Sequence, residues 1–212
     1  MRLPIVVIGT GPRCGSTPYV ELLSQQLGLP AFYEPWCHRI YSNDSSYLRS
    51  YNQYIEHKKH SNRYIVKFWI TDLEQRSPYQ DEVMNGYKIL LMRRDIVGQI
   101  ASWYIADSLD KFHTLAQEEE RTYIVPINSK DISEKIRVLT RAVFLAEQCS
   151  SFNTRLYYED IDFSALKSPY KKTIQPSNLA ELRQEIEKQL KDTIPVHWII
   201  DKSSSKISSN SL

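Results

Sequence analysis

The chain has 212 residues, 42% hydrophobic and 25% charged, a composition that fits one globular domain with a proper core. A net charge of +2 is too small for duplex nucleic acid as the main partner, because such proteins carry a strongly basic face; it leaves room for a basic pocket that takes a small polyanion. Cys14, Cys37 and Cys149 form an odd set without paired spacing, which argues against a disulfide framework or a zinc site and for a reducing compartment.

Met1 leads into PIVVIG, a continuous apolar run rich in β-branched residues that predicts a buried parallel strand. The run is too short for a signal-peptide core, and no stretch approaches the roughly 18 apolar residues of a membrane span, so a cytoplasmic protein is expected. The loop GTGPRCGST follows, then PYVELLSQQL, whose Val20, Leu23 and Leu27 recur at helical spacing. Gly28 stands where a helix C-cap belongs. From about 34 to 62 the chain is polar and tyrosine-rich without a clean period, and an irregular acceptor-side segment (36–62) is expected.

YIVKFW (Tyr64–Trp69) and YKILLM (Tyr87–Met92) predict two more buried strands. Ile96, Val97, Ile100, Ala101, Tyr104 and Ile105 put a helix directly after the second. The pattern breaks down over 107–130, where an excursion or lid is expected. DISEKIRVLTRAVFLAEQCS predicts a helix capped by Asp131 or Ser133, with Ile132, Ile136, Leu139, Val143 and Phe144 as its apolar stripe. TRLYYED (Thr154–Asp160) predicts a strand ending in acidic residues, NLAELRQEIEKQL a solvated helix, and 203–212 a mobile tail. Strands alternating with helices imply one α/β domain over 1–202 with a mostly parallel central sheet.

A loop between a buried strand and a helix start aims free amide N–H groups at one spot, where the helix dipole favours an anion. Gly9, Gly11 and Gly15 allow close backbone approach, and Arg13, Ser16 and Thr17 add side-chain donors. A nucleoside-triphosphate loop, G-x-x-x-x-G-K-[ST], needs lysine directly after its last glycine. Here Ser16 follows Gly15 and the cation, Arg13, precedes it, so an ATP-dependent kinase is disfavoured.

The segment Pro12–Thr17, P-R-C-G-S-T, resembles the 5′-phosphosulfate loop of sulfotransferases that use 3′-phosphoadenosine 5′-phosphosulfate (PAPS). The resemblance implies a three-layer P-loop-type fold. It gives Arg13 the bridging or sulfuryl oxygens and gives Cys14, Gly15, Ser16 and Thr17 the 5′-phosphate. Two departures stand out: Cys14 replaces the usual serine, and Pro18 removes one amide donor. In RRDIVGQIAS, Arg94 and Ser102 resemble the family's Arg-x₇-Ser pair for the 3′-phosphate, while strand alternation turns Arg93 outward. LYYEDI resembles the element whose tyrosine, here Tyr158, lies near adenine. In the late basic loop, Lys171 or Lys172 would close over the 3′-phosphate.

Sulfuryl transfer, like phosphoryl transfer, needs cations at the bridging oxygen and a base for the acceptor hydroxyl. Lys67 resembles the family's transition-state lysine. The turn LPAFYEPW makes Glu34 similar to the carboxylate base of the bacterial trehalose-type branch, with His38 in reserve and Asp72 able to orient a hydroxyl; a capping or ion-pairing role is the bland alternative for Glu34. His57 and His60 read as solvated. Tyr33, Trp36, Trp69 and Trp103 could stack on a sugar, although core packing is the simpler role for them.

The expected protein is therefore a sulfotransferase with PAPS as donor, the bisphosphate PAP as product, no metal, and a carbohydrate or small-molecule acceptor, with no nucleic-acid partner. A catalytically silent module that binds an adenosine bisphosphate is the alternative from another class.

Overall fold

The computed structural model describes residues 3–35, 45–74, 85–109, 123–166 and 176–193. The IVVIG run forms β1 (Ile5–Gly9), every residue of which is buried, as expected of a strand covered on both faces. Around it the sheet adds β2 (Ala31–Tyr33), β3 (Ile65–Trp69), β4 (Tyr87–Met92) and β5 (Thr154–Tyr157) in the order β2-β3-β1-β4-β5. All four ladders are parallel. The result is a mixed α/β fold with a parallel central sheet.

Helices α1 (Ser16–Leu27), α2 (Ser45–His60), α3 (Ile96–Ser108), α4 (Ser129–Gln148) and α5 (Leu179–Thr193) pack with it. Successive strand residues point to opposite faces, and the core divides accordingly. Ile5, Val7, Ile65, Ile89 and Leu91 pack with Tyr19 and Val20 of α1. Val6, Ile8, Val66, Phe68 and Leu90 meet Tyr54 of α2 and Ala142 and Ala146 of α4. A further cluster joins α3, α4 and α5 through Ile100, Ile105, Ile132, Ile136, Leu182 and Ile186.

Several expectations are corrected here. The segment 36–62 is not irregular throughout, since α2 occupies 45–60. Tyr54 at its centre is fully buried and sits edge-on to Phe32 and Tyr64, so a tyrosine of this polar stretch acts as core. His57 is half-buried against the same two rings, while His60 is exposed and pairs with Glu56. The helix over 129–148 is capped by Asn128, whose side chain accepts from the Lys130 amide, rather than by Asp131 or Ser133. Its buried stripe runs through Ala142 and Ala146, and Phe144 is half exposed. β5 ends at Tyr157, and Tyr158–Asp160 form a 3₁₀ turn. The charged helix over 179–193 is amphipathic, not solvated all round: Leu182, Ile186 and Leu190 lie buried on one stripe.

Of the expected excursion, 110–122 lies outside the described residues. The return, 123–128, is fastened by a reciprocal pair of hydrogen bonds between Val125 and Asn178 and by the Tyr104 hydroxyl donating to the Pro126 carbonyl. Trp36, His38, Lys171, Lys172 and the tail 203–212 also lie outside the described residues. Among the described residues no helix is long and apolar enough to cross a membrane.

Candidate functional site

In a parallel sheet every strand delivers its following loop to the same edge, and ligands bind there, where neighbouring crossovers diverge. β1 is such a strand, flanked by β3 and β4. The site residues converge toward that edge: Arg13 after β1, Glu34 after β2, Lys67 in the middle of β3, Asp72 beyond it, Arg93 and Arg94 after β4, and Tyr158 after β5.

The β1–α1 loop is unusual in backbone as well as in sequence. Gly11, Arg13 and Gly15 all have positive φ, at 143°, 62° and 86°. The N-cap, Gly15, brings no side chain to the first turn of α1, whose leading amides have no intrahelical partner. The tip is held from α3: the Gln99 amide donates to the Pro12 carbonyl at 3.0 Å, and Arg13 Nε donates to Ser102 Oγ at 2.9 Å. Gln99 and Ser102 share the face expected from their three-residue spacing, and both are buried. Ser102 is thus brought to Arg13. The buried Cys14 turns its sulfur toward the Cα of Gly9, where an added Cβ would lie 2.8 Å from it.

Glu34 is built by the edge ladder. Tyr33 pairs with Lys67, and the Glu34 amide donates to the Lys67 carbonyl at 3.1 Å. The chain then turns, with Glu34 at φ 44°. Among the described residues Arg13 and Glu34 are the two non-glycine positions with positive φ, a conformation that costs energy and concentrates at functional sites. The turn brings the Glu34 carboxylate to Lys67 Nζ at 2.5 Å. The same ammonium donates to Thr17 Oγ1 at 3.0 Å and lies 4.1 Å from the Trp69 ring centroid. Lys67 is 4% exposed, so its charge is desolvated and needs these partners. One buried cation therefore links the first turn of α1 to the carboxylate after β2.

Asp72 belongs to the 3₁₀ turn over 70–74 and accepts from the Trp69 amide at 2.9 Å. Burial lifts its carboxyl to about 6; the nearby Glu34 charge adds to this, while the Trp69 amide and Lys67 pull the other way. A second carboxylate thus lies within electrostatic reach of the Glu34–Lys67 pair. Sequence reading named Asp72 without a reason to prefer it, and the signal is the turn that folds it back onto β3.

The two arginines after β4 take different partners. Arg93 is not outward-facing: its Nη1 donates to the Arg13 carbonyl at 3.2 Å, and its guanidinium carbon lies 5.3 Å from the Tyr158 ring centroid. Strand alternation fails to predict this because β4 ends at Met92, so the alternation rule stops one residue short. Burial, then the neighbouring Arg93 charge, lower the affinity of Arg13 for its proton. Arg94 grips Asp160 with both ends of its fork, at 2.5 and 2.6 Å. That contact holds the Asp160 carboxyl below its ordinary range. Tyr158 covers Gly15 so closely that a Cβ there would lie 2.0 Å from the ring.

The geometry supplies a cationic, amide-lined pocket beside a lysine-bound carboxylate, a combination suited to binding an anion and taking a proton from a neighbouring hydroxyl. No protein-family model and no curated protein matches the chain.

Proposed function

We propose that this chain is a sulfotransferase of P-loop-type fold that moves a sulfuryl group from PAPS to a hydroxyl of a carbohydrate or small-molecule acceptor. The observation that carries the proposal is the Lys67 ammonium, which binds the Glu34 carboxylate and the Thr17 hydroxyl together. Base, cation and phosphate-loop donor then form one hydrogen-bonded chain. The strand-loop-helix after β1, with Arg13 over its tip and Ser102 beneath, supports an anion at that end of the sheet.

In this reading the donor's 5′-phosphosulfate lies in the loop Pro12–Thr17. The acceptor oxygen attacks sulfur in line and its proton passes to Glu34. The bond from sulfur to the bridging oxygen breaks, and PAP leaves with the new charge on its 5′-phosphate. Lys67 and Arg13 stabilise the charge growing on that bridging oxygen, where a fixed cation acts most strongly.

The test is calorimetry with PAP against ATP–Mg²⁺, followed by transfer of labelled sulfate from PAPS to a panel of sugars and small alcohols. Tight binding of PAP with transfer to any acceptor is the expected result. PAP binding without transfer would favour the silent module, and preference for ATP–Mg²⁺ would point to a kinase.

A further inference from the structure

The resemblance gives the second phosphate contact to Arg94, yet Arg94 and Arg93 are placed very differently. Arg94 directs its guanidinium at Asp160 in a two-pronged pair and lies 4.3 Å from the Tyr157 ring centroid. Its backbone amide and that of Asp95 are both taken by the Glu159 carboxylate, at 3.0 and 3.1 Å. The Arg94 side chain ties the end of β4 to β5 and the 3₁₀ turn that follows it. That is the connectivity of a strut.

Arg93 turns into the pocket. It is 21% exposed and donates to the backbone carbonyl of Arg13. Its Nε is buried and has no hydrogen-bond partner. The carboxylates facing it are Glu159, 3.7 Å from Nε, and Asp95, 3.9 Å from Nη2. Both are beyond hydrogen-bond reach and already committed: Glu159 to two amides, Asp95 to the Gly98 amide and Arg183. A buried charged donor left unbonded is costly, and a second guanidinium, that of Arg13, is close enough to feel its charge. Like charges drawn together beside a buried hydroxyl are the arrangement an anion relieves.

Resting on the functional reading above, we infer that Arg93, not Arg94, is the second cation of the nucleotide site. With Arg13 and Ser102 it receives a phosphate group of the adenosine bisphosphate. Arg94 clamps Asp160 and so holds Tyr158 over the loop.

The experiment is calorimetry of the full chain with adenosine 3′,5′-bisphosphate, adenosine 5′-monophosphate and adenosine 3′-monophosphate, comparing wild type, R93A, R93K and R94A. R93A is expected to weaken the bisphosphate about 10- to 100-fold, as loss of a charge-assisted pair does, and at least about tenfold more than R94A does. R93K should recover part of the loss, because the charge returns without the planar fork. A loss shared with the 3′-monophosphate assigns Arg93 to the 3′-phosphate, and one shared with the 5′-monophosphate assigns it to the 5′-phosphate; either supports the inference. If R93A does not fold, R93K and R93Q carry the comparison. A bisphosphate affinity unchanged in R93A, or lowered more in R94A, overturns the inference while leaving the functional reading intact. Failure of the wild type to bind any of the three overturns both.

Discussion

The charge of Lys67 acts on two carboxylates of different character, and the difference can be measured. Asp72 is desolvated and raised to about 6, against an ordinary value of about 3.9. Below about pH 3 the group is largely protonated in both folded and unfolded chains and costs little. As pH rises toward 6 the unfolded chain ionises first, so stability falls across that window and stays lower above it. Asp72→Asn keeps an acceptor for the Trp69 amide while removing the charge. It should stabilise the protein at pH 7 by on the order of 1–2 kcal/mol after allowance for partial exposure. Urea midpoints at pH 7 and pH 3 check this, and the gain should vanish at the lower pH. Glu34 has the other character, an ion pair with the buried lysine. Glu34→Gln should lower sulfate turnover about 100-fold or more, the range of a general base, with PAP affinity kept within about threefold. Equal turnover in the variant would move the base elsewhere.

Among the elements, the loop from Gly9 to Thr17 tolerates the least change. Gly15 combines φ 86° with a Tyr158 ring 2.0 Å from where a Cβ would stand. Gly15→Ala therefore strains the backbone and pushes Tyr158 away at once, for a cost of roughly 1–3 kcal/mol and loss of PAP binding. Thermal unfolding and calorimetry on the same sample separate the two effects. α5 gives a contrasting case, because its buried stripe contributes through packing. Leu182 is fully buried against α3 and α4, so Leu182→Ala should cost about 2–5 kcal/mol. A loss under about 1 kcal/mol in urea would show that α5 is not part of the core.

At the scale of the whole molecule, the parallel sheet joins five loops that are distant in sequence. Arg13 and Ser102 are 89 positions apart, and Lys67 reaches back 50 positions to Thr17. A ligand that bridges such loops binds only the folded chain, so it must stabilise it. PAP at about 100 times its Kd should add ~2.7 kcal/mol, which for a chain of this size raises Tm by roughly 5–10 °C. Arg13→Ala should abolish that rise, and ATP–Mg²⁺ should not reproduce it. A Tm indifferent to PAP at millimolar concentration would remove the nucleotide from the proposal.

Local pattern was enough for the central strands β1, β3 and β4, because a strand buried on both faces must be apolar along its length, and IVVIG, IVKFW and YKILLM are close to that. It was also enough for the loop after β1, whose glycines and donors are contiguous, and for the shared face of Gln99 and Ser102. Tertiary packing decided the rest. The helix over 45–60 buries Tyr54 against Phe32 and Tyr64, within a polar stretch that offers no clean period to read. The three-residue β2 has no period to read and exists because β3 supplies its ladder. Above all, the directions of Arg93 and Arg94 depend on where β4 stops and on which acid the turn after β5 presents. A side chain beyond the last ladder bond obeys its neighbours in space, and those neighbours come from elements up to 80 residues away.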